Sequence, residues 1–205
     1  LAVITDYPTL ATAVGDYLER SDLSTFIPNF IQACEKKLYR SIKIRGIEAD
    51  FNVAIATSVV ALPSDYREAK HLYVDGSPSH PLGRMNLKNL LASYPRSATT
   101  GLPDFYARQG DNLIFGPMPD SNYTIKGVYY KKLPSLAEAG SGSNYFTTNA
   151  PEVLLYGSLI EAEAFVKNDP RIGIWKGQFS EAVGLLVDES DEEEVSGDAP
   201  FEVLA

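Results

Sequence analysis

The apolar positions follow three regimes along the chain. From residue 7 to about 44 they recur every three or four residues, between 48 and 133 they alternate or run in short blocks, and from 151 to 187 the helical spacing returns. The first regime predicts two helices. Over residues 7–19, Leu10, Ala13, Val14, Tyr17 and Leu18 share a face. Thr5 or Asp6 can cap that helix, and Pro8 sits where a missing N–H costs little. Over residues 25–44, Ile27, Ile31, Cys34, Leu38 and Ile42 form one stripe, with Ser24 as N-cap, Pro28 in the first turn and Gly46 as the stop. Lys36, Lys37, Arg40, Lys43 and Arg45 lie mostly on the opposite side.

The middle regime predicts strands. Phe51, Val53 and Ile55 alternate with smaller or polar residues, Val59, Val60 and Leu62 follow, and residues 69–74 form another run. Asp75-Gly76-Ser77-Pro78 is a turn, residues 87–91 a short helix, and residues 95–103 a loop. Residues 105–108 and 113–115 flank a hairpin turn at 109–112. Residues 123–132 form a long strand rich in β-branched and aromatic bulk, in which Tyr129-Tyr130 reads as half core and half surface. Residues 138–149, with Ala139-Gly140-Ser141-Gly142-Ser143, read as a flexible link.

The last regime predicts a helical hairpin. One helix covers about 151–167, with Asn149 as its cap, Pro151 in its first turn and apolar residues on so broad an arc that it should sit centrally. Asn168-Asp169-Pro170 turns the chain, and Ile172, Trp175, Phe179, Ala182 or Val183, and Leu186 give the second helix its inner stripe. The fold class is therefore α+β: a helical bundle built from both chain ends with an inserted β-rich region at about 48–133.

Charge changes this picture at one end only. The 205 residues carry a net charge of -9, but residues 188–205 hold eight acids and no base, which leaves residues 1–187 with 19 acids and 18 bases. A block of like charges repels itself, so the expectation is a body at 1–187 followed by an extended acidic spacer and tail at 188–205. The tail ends in Ala199-Pro200-Phe201-Glu202-Val203-Leu204-Ala205, a mostly apolar peptide suited to docking. A near-neutral body argues against binding duplex nucleic acid through a general basic surface. A single cysteine excludes a disulfide framework, no run of 18 apolar residues suggests a membrane span, and the start has no basic segment or apolar core of a secretory signal.

Little points to catalysis. His71, His80 and Cys34 are not at metal-ligand spacing, Cys34 reads as a core residue, and no phosphate loop or nucleophile elbow is present. Glu161 and Glu163 diverge by about 200° on a helix, so a salt bridge is the expected role for Glu161. The basic face of Lys36, Lys37, Arg40 and Lys43 reads as a solvated helix face or as a contact with another subunit or a nucleic-acid backbone.

The order of residues resembles a family. Gly101-Leu102-Pro103, Tyr106, Gly110-Asp111-Asn112-Leu113, Phe115, Pro117, Pro119-Asp120, Tyr123, Tyr129-Tyr130 and Leu133 come first. Asn144, Thr148-Asn149-Ala150-Pro151, Leu155-Tyr156-Gly157-Ser158-Leu159, Glu161-Ala162, Phe165 and Asn168-Asp169 follow. With Ile27-Pro28-Asn29-Phe30-Ile31, Glu35-Lys36-Lys37-Leu38-Tyr39-Arg40 and Leu62-Pro63-Ser64-Asp65-Tyr66, this pattern is similar to the head-to-tail adaptors of tailed bacteriophages, the short-tailed type above all. It covers residues 5–187, and the acidic tail is where the chain departs from it.

The resemblance implies a non-enzymatic structural virion protein at the neck, assembled in the host cytoplasm and needing no cofactor. It implies a ring of copies, usually twelve, beneath the portal protein. That ring would seat a nozzle or tail-tube protein and let DNA pass without sequence-specific binding. It also implies that the C-terminal segment reaches the portal, with Pro200, Phe201, Val203 and Leu204 as anchors. The competing readings are a DNA-binding accessory module using the face at residues 36–45, and a carboxylate hydrolase built around Glu161.

Overall fold

The computed structural model describes residues 3–95, 99–138, 142–166 and 170–195. Two compact units emerge: one joins the chain up to Ile47 with the chain from Leu133 onward, and the other is Glu48–Lys132.

The first unit is helical. Helix α1 (Tyr7–Leu18) starts at a reciprocal cap: Asp6 Oδ1 accepts from the Thr9 amide at 2.9 Å, and Thr9 Oγ1 accepts from the Asp6 amide at 3.0 Å. Helix α2 (Ile27–Ser41) is shorter than its stripe predicts. The chain first makes a 3-10 turn at Ser21–Leu23, and the helix begins after Phe26 without a side-chain cap, so Ser24 does not cap it. At its other end Ile42 turns extended, which lets Ile42 and Ile44 both point into the core. Lys43 consequently stands beyond the helix, not on its face.

Helix α5 (Pro151–Glu161) packs against α1, α2, α4 (Tyr145–Asn149), α6 (Glu163–Val166) and α7 (Ile172–Val195). Val153, Leu154, Leu155, Gly157, Ser158 and Leu159 are all buried, as befits a helix that is apolar around most of its circumference. Buried Ser158 donates its hydroxyl to the Leu154 carbonyl at 2.7 Å. Gly157 permits the closest approach: a Cβ there would overlap Cys34 Sγ of α2.

Further expectations for this unit are corrected. The helix placed at about 151–167 is interrupted at Ala162, where α5 ends and α6 begins. The link at 138–149 contains helix α4, whose cap Asn144 accepts from the amides of Phe146 and Thr147 at 3.0 and 3.2 Å. Asn149 closes α4 and does not cap α5. The acidic stretch from Asp188 to Glu194 is not extended: α7 continues through it to Val195. The turn at residues 168 and 169 and the anchors Pro200, Phe201, Val203 and Leu204 lie outside the described residues.

The second unit is a pair of sheets. One has the order β1 (Glu48–Ile55), β8 (Tyr123–Lys131), β3 (Tyr66–Val74), β4 (His80–Pro81), all antiparallel. The other has the order β2 (Val59–Ala61), β7 (Asn112–Gly116), β6 (Phe105–Gln109), β5 (Gly83–Arg84), with β5 parallel to β6. Phe51, Leu72, Ile125 and Tyr129 of the first sheet meet Tyr106, Leu113 and Phe115 of the second in one core. Alternate residues Ala107 and Ile114 face the other way and pack on Leu90 of α3 (Leu87–Ser93). Burial on both faces explains why β7 is a continuous apolar run. Gly127 lies between Phe51 of β1 and Leu72 of β3, where a Cβ would overlap the His71 carbonyl oxygen.

Candidate interaction surface

The outer side of α2 carries the basic residues, and the structure divides them. Lys36 and Arg40 stand one turn apart, opposite the buried line of Ile27, Ile31, Cys34 and Leu38. Lys36 Nζ donates to Gln32 Oε1 at 3.0 Å, and Arg40 Nε donates to the Lys36 carbonyl at 2.9 Å. Lys37 points elsewhere. Its Nζ reaches both oxygens of Glu161 on α5, at 2.6 and 2.7 Å. Lys43 is exposed on the extended chain after the helix. Thus two of the four expected residues form a helical ridge, one ties α2 to α5, and one lies just past the ridge.

Glu161 is therefore a salt-bridge partner, as the spacing suggested, and Glu163 is engaged separately by Lys176 at 2.9 Å. Two carboxylates held by different lysines do not converge as an acid/base pair. Cys34 is buried against the Val153 and Leu154 carbonyls, and burial first, then the nearby Glu161 charge, push its thiol up to about 12. A thiol so protonated is a packing group. His80 Nε2 lies 2.8 Å from Asp104 Oδ1. Among the described residues no group of three or more His, Cys, Asp or Glu side chains could hold a metal, and no helix is long and apolar enough to cross a membrane.

The sequence reading missed Glu35, the one fully buried charged residue in the described chain, 2% exposed. Its carboxylate accepts from the Leu136 amide at 2.8 Å, from Ser135 Oγ at 3.1 Å and from the Tyr39 hydroxyl at 3.1 Å. Tyr39 in turn accepts from Asn144 Nδ2 at 2.6 Å. Burial, then the Glu35 charge, raise the Tyr39 phenol well above its ordinary range. This chain of bonds fixes the segment that returns from the β unit and the cap of α4 to one helix. The available signal was spacing: Glu35 is four residues after Ile31 and three before Leu38, on the apolar side of α2.

Also missed was the meeting of the acidic end of α7 with Arg45, in the turn that follows α2. The Arg45 amide donates to Ser190 Oγ at 3.0 Å, and Arg45 Nη1 donates to the Glu193 carbonyl at 2.7 Å. Arg45 Nε is 3.8 Å from Glu193 Oε2. A cation on the last carbonyls of a helix offsets its negative end, and this helps the acidic stretch to remain helical. Gly46 lies so close to the Tyr145 ring that a Cβ would overlap it, and burial, then Glu189 and Glu193, raise the Tyr145 phenol.

The surface thus offers basic and acidic helix faces, apolar patches such as the Phe26–Phe165 ring pair at 5.1 Å, and no converging reactive groups among the described residues. A sequence profile of the SU10 adaptor protein family matches residues 5–203, nearly the whole chain. The chain belongs to the SU10 adaptor family. This is a family of phage head-to-tail adaptors, so the protein is a structural phage adaptor. No curated protein sequence matches the chain.

Proposed function

We propose that this SU10 adaptor forms a closed ring beneath the portal and joins the filled capsid to the tail. The observation that carries the reading is the match over residues 5–203. The helical unit and the unit of paired sheets each supply surfaces for partners. In a ring each subunit uses two different faces, one toward each neighbour, and the rotation closes the assembly. The portal holds one rim, a nozzle or tail-tube protein the other, and DNA passes through the lumen without sequence-specific contacts. Lys36, Lys37, Arg40 and Lys43 belong to a neighbour- or lumen-facing side in this reading.

The C-terminal residues serve as the portal anchor. Pro200, Phe201, Val203 and Leu204 follow α7 after four intervening residues in the sequence, and Phe201 and Val203 share a face if the peptide docks as an added strand. One copy binds modestly because ordering the peptide has an entropic cost, and the ring multiplies the contact. Phe201→Ala with Val203→Ala is the test. The double variant should fold as the parent does, yet fail to sediment with portal rings; attachment equal to the parent would assign the joint to the folded body instead.

A further inference from the structure

Helix α7 carries two stripes. Ile172, Trp175, Ala182 and Leu186 are buried on the side packed against α5. Ile174, Gln178, Glu181, Leu185, Asp188 and Glu192 form the other stripe, and all of them are exposed. At about 100° per residue they fall within an arc of about 80°, roughly 120° round the helix from the buried line. Ile174 and Leu185 are each 65% exposed, an unusual amount for large apolar side chains in mid-helix. Gly177 and Gly184 run beside this stripe, and a Cβ at either would meet nothing within 4 Å.

The outer side of α2 repeats the spacing. Phe26 at its cap, Asn29, Ala33, Lys36 and Arg40 step by three, four, three and four residues, as do Gln178, Glu181, Leu185, Asp188 and Glu192. Alternating steps of three and four are those along which two helices lie side by side in a seam. Phe26 is 39% exposed, Asn29, Lys36 and Arg40 are exposed, and Ala33 is half-buried. Set in parallel, the two stripes match position by position. Leu185 meets the small Ala33, Asp188 meets Lys36, Glu192 meets Arg40, and Ile174 with Gln178 lies at the exposed ring of Phe26. Within one chain both helices turn their buried sides to α5, so these outer stripes point to solvent.

We infer that α7 of one copy docks in parallel along α2 of the next, and that this seam is the contact between neighbouring subunits. Charge complementarity makes a second copy the occupant. The α7 stripe offers Glu181, Asp188 and Glu192 and no base, whereas the α2 stripe offers Lys36 and Arg40 and no acid. Pairing like with like, α7 on α7 or α2 on α2, would set charges of one sign against each other. Each copy carries one face of each kind, so the contact is heterologous and runs head to tail, as a ring requires. Burial of Leu185, Ile174 and Phe26 supplies affinity, and the charged pairs fix the register. Arg45, bonded to Ser190 and to the Glu193 carbonyl, keeps α7 helical where it presents Asp188 and Glu192. This assignment rests on the ring reading of the protein.

The test is disulfide trapping in the full-length chain, alone at high concentration and on cognate portal rings. Ala33→Cys with Leu185→Cys should give, on oxidation, a ladder of covalent oligomers, and either substitution alone should give none. In that background Asp188→Lys with Glu192→Lys should cut the ladder by about tenfold or more, because like charges then face each other. Lys36→Glu with Arg40→Glu should do the same, and the two reversals together should restore the ladder. Circular dichroism checks that each chain is folded. Absence of the ladder from both samples overturns the seam, and so does a cross-link confined to single chains. Charge reversals without effect, or losses that the combined variant does not restore, overturn it too. The ring itself is read by electron microscopy of the portal sample: a ring without a ladder removes the seam alone, whereas a bare portal removes the ring reading.

Discussion

Replacing Glu35 by Leu removes three hydrogen-bond acceptances at once. The Leu136 amide is buried, with Leu136 itself 1% exposed, and it has the Glu35 carboxylate as its acceptor. Stranding one buried amide donor costs about 1–3 kcal/mol. Ser135 can turn its hydroxyl, but Tyr39 loses an acceptor while still taking a bond from Asn144, which adds a smaller amount. The leucine side chain recovers part through apolar burial, so the net loss should be about 2–4 kcal/mol. For a chain of this size that corresponds to a melting temperature lower by roughly 5–15 °C. Glu35→Gln keeps an acceptor for Leu136 and can receive from or donate to Ser135, and it should lose only about 1 kcal/mol. The assay is thermal and urea unfolding followed by circular dichroism, with hydrogen exchange at Leu136 as the local readout. A Glu35→Leu chain within about 1 kcal/mol of the parent, or with unaltered exchange at Leu136, would refute the claim that this carboxylate holds the returning segment.

Trp175 is 4% exposed on the inner side of α7, so Trp175→Ala should lower stability by about 3–5 kcal/mol in urea unfolding, and a change below 1 would place the side chain outside the core. The Tyr129 hydroxyl donates to Asp65 at 2.9 Å, and burial, then that bond and the Asp65 charge, push its phenol up to about 12. A raised acid favours the neutral form in the folded chain. Stability from this group is therefore full below the ordinary value of 10.0 and lost as pH rises toward about 12. Melting temperature against pH should fall over that interval in the parent and less in Tyr129→Phe; parallel curves would count against the assignment.

The legible parts of the fold were those decided locally. The cap and stripe of α1, the β6–β7 hairpin and the broad apolar arc of α5 all follow from spacing and turn chemistry. The errors arose where distant contacts decide. Arg45 sits against α7 only in the folded unit, so charge repulsion alone suggested an extended chain where a helix persists. Glycine and serine around residue 140 masked the Asn144–Thr147 cap of α4. Strands β4 and β5 are two residues each and exist through pairing with β3 and β6, which no local pattern encodes. At the surface, the residue types of the basic face were legible, but its division was not: Lys37 turns to Glu161 because α5 lies there, and Lys43 leaves the helix because Ile42 and Ile44 are both drawn inward.

The most direct measurement of the central claim is electron microscopy of the purified chain mixed with its cognate portal ring, paired with native mass spectrometry of the same sample. The adaptor account predicts a closed, coaxial ring of this chain on one rim of the portal, with one copy per portal subunit. A portal that gains no mass and no added ring, beside a chain that remains separate at every mixing ratio, would contradict it.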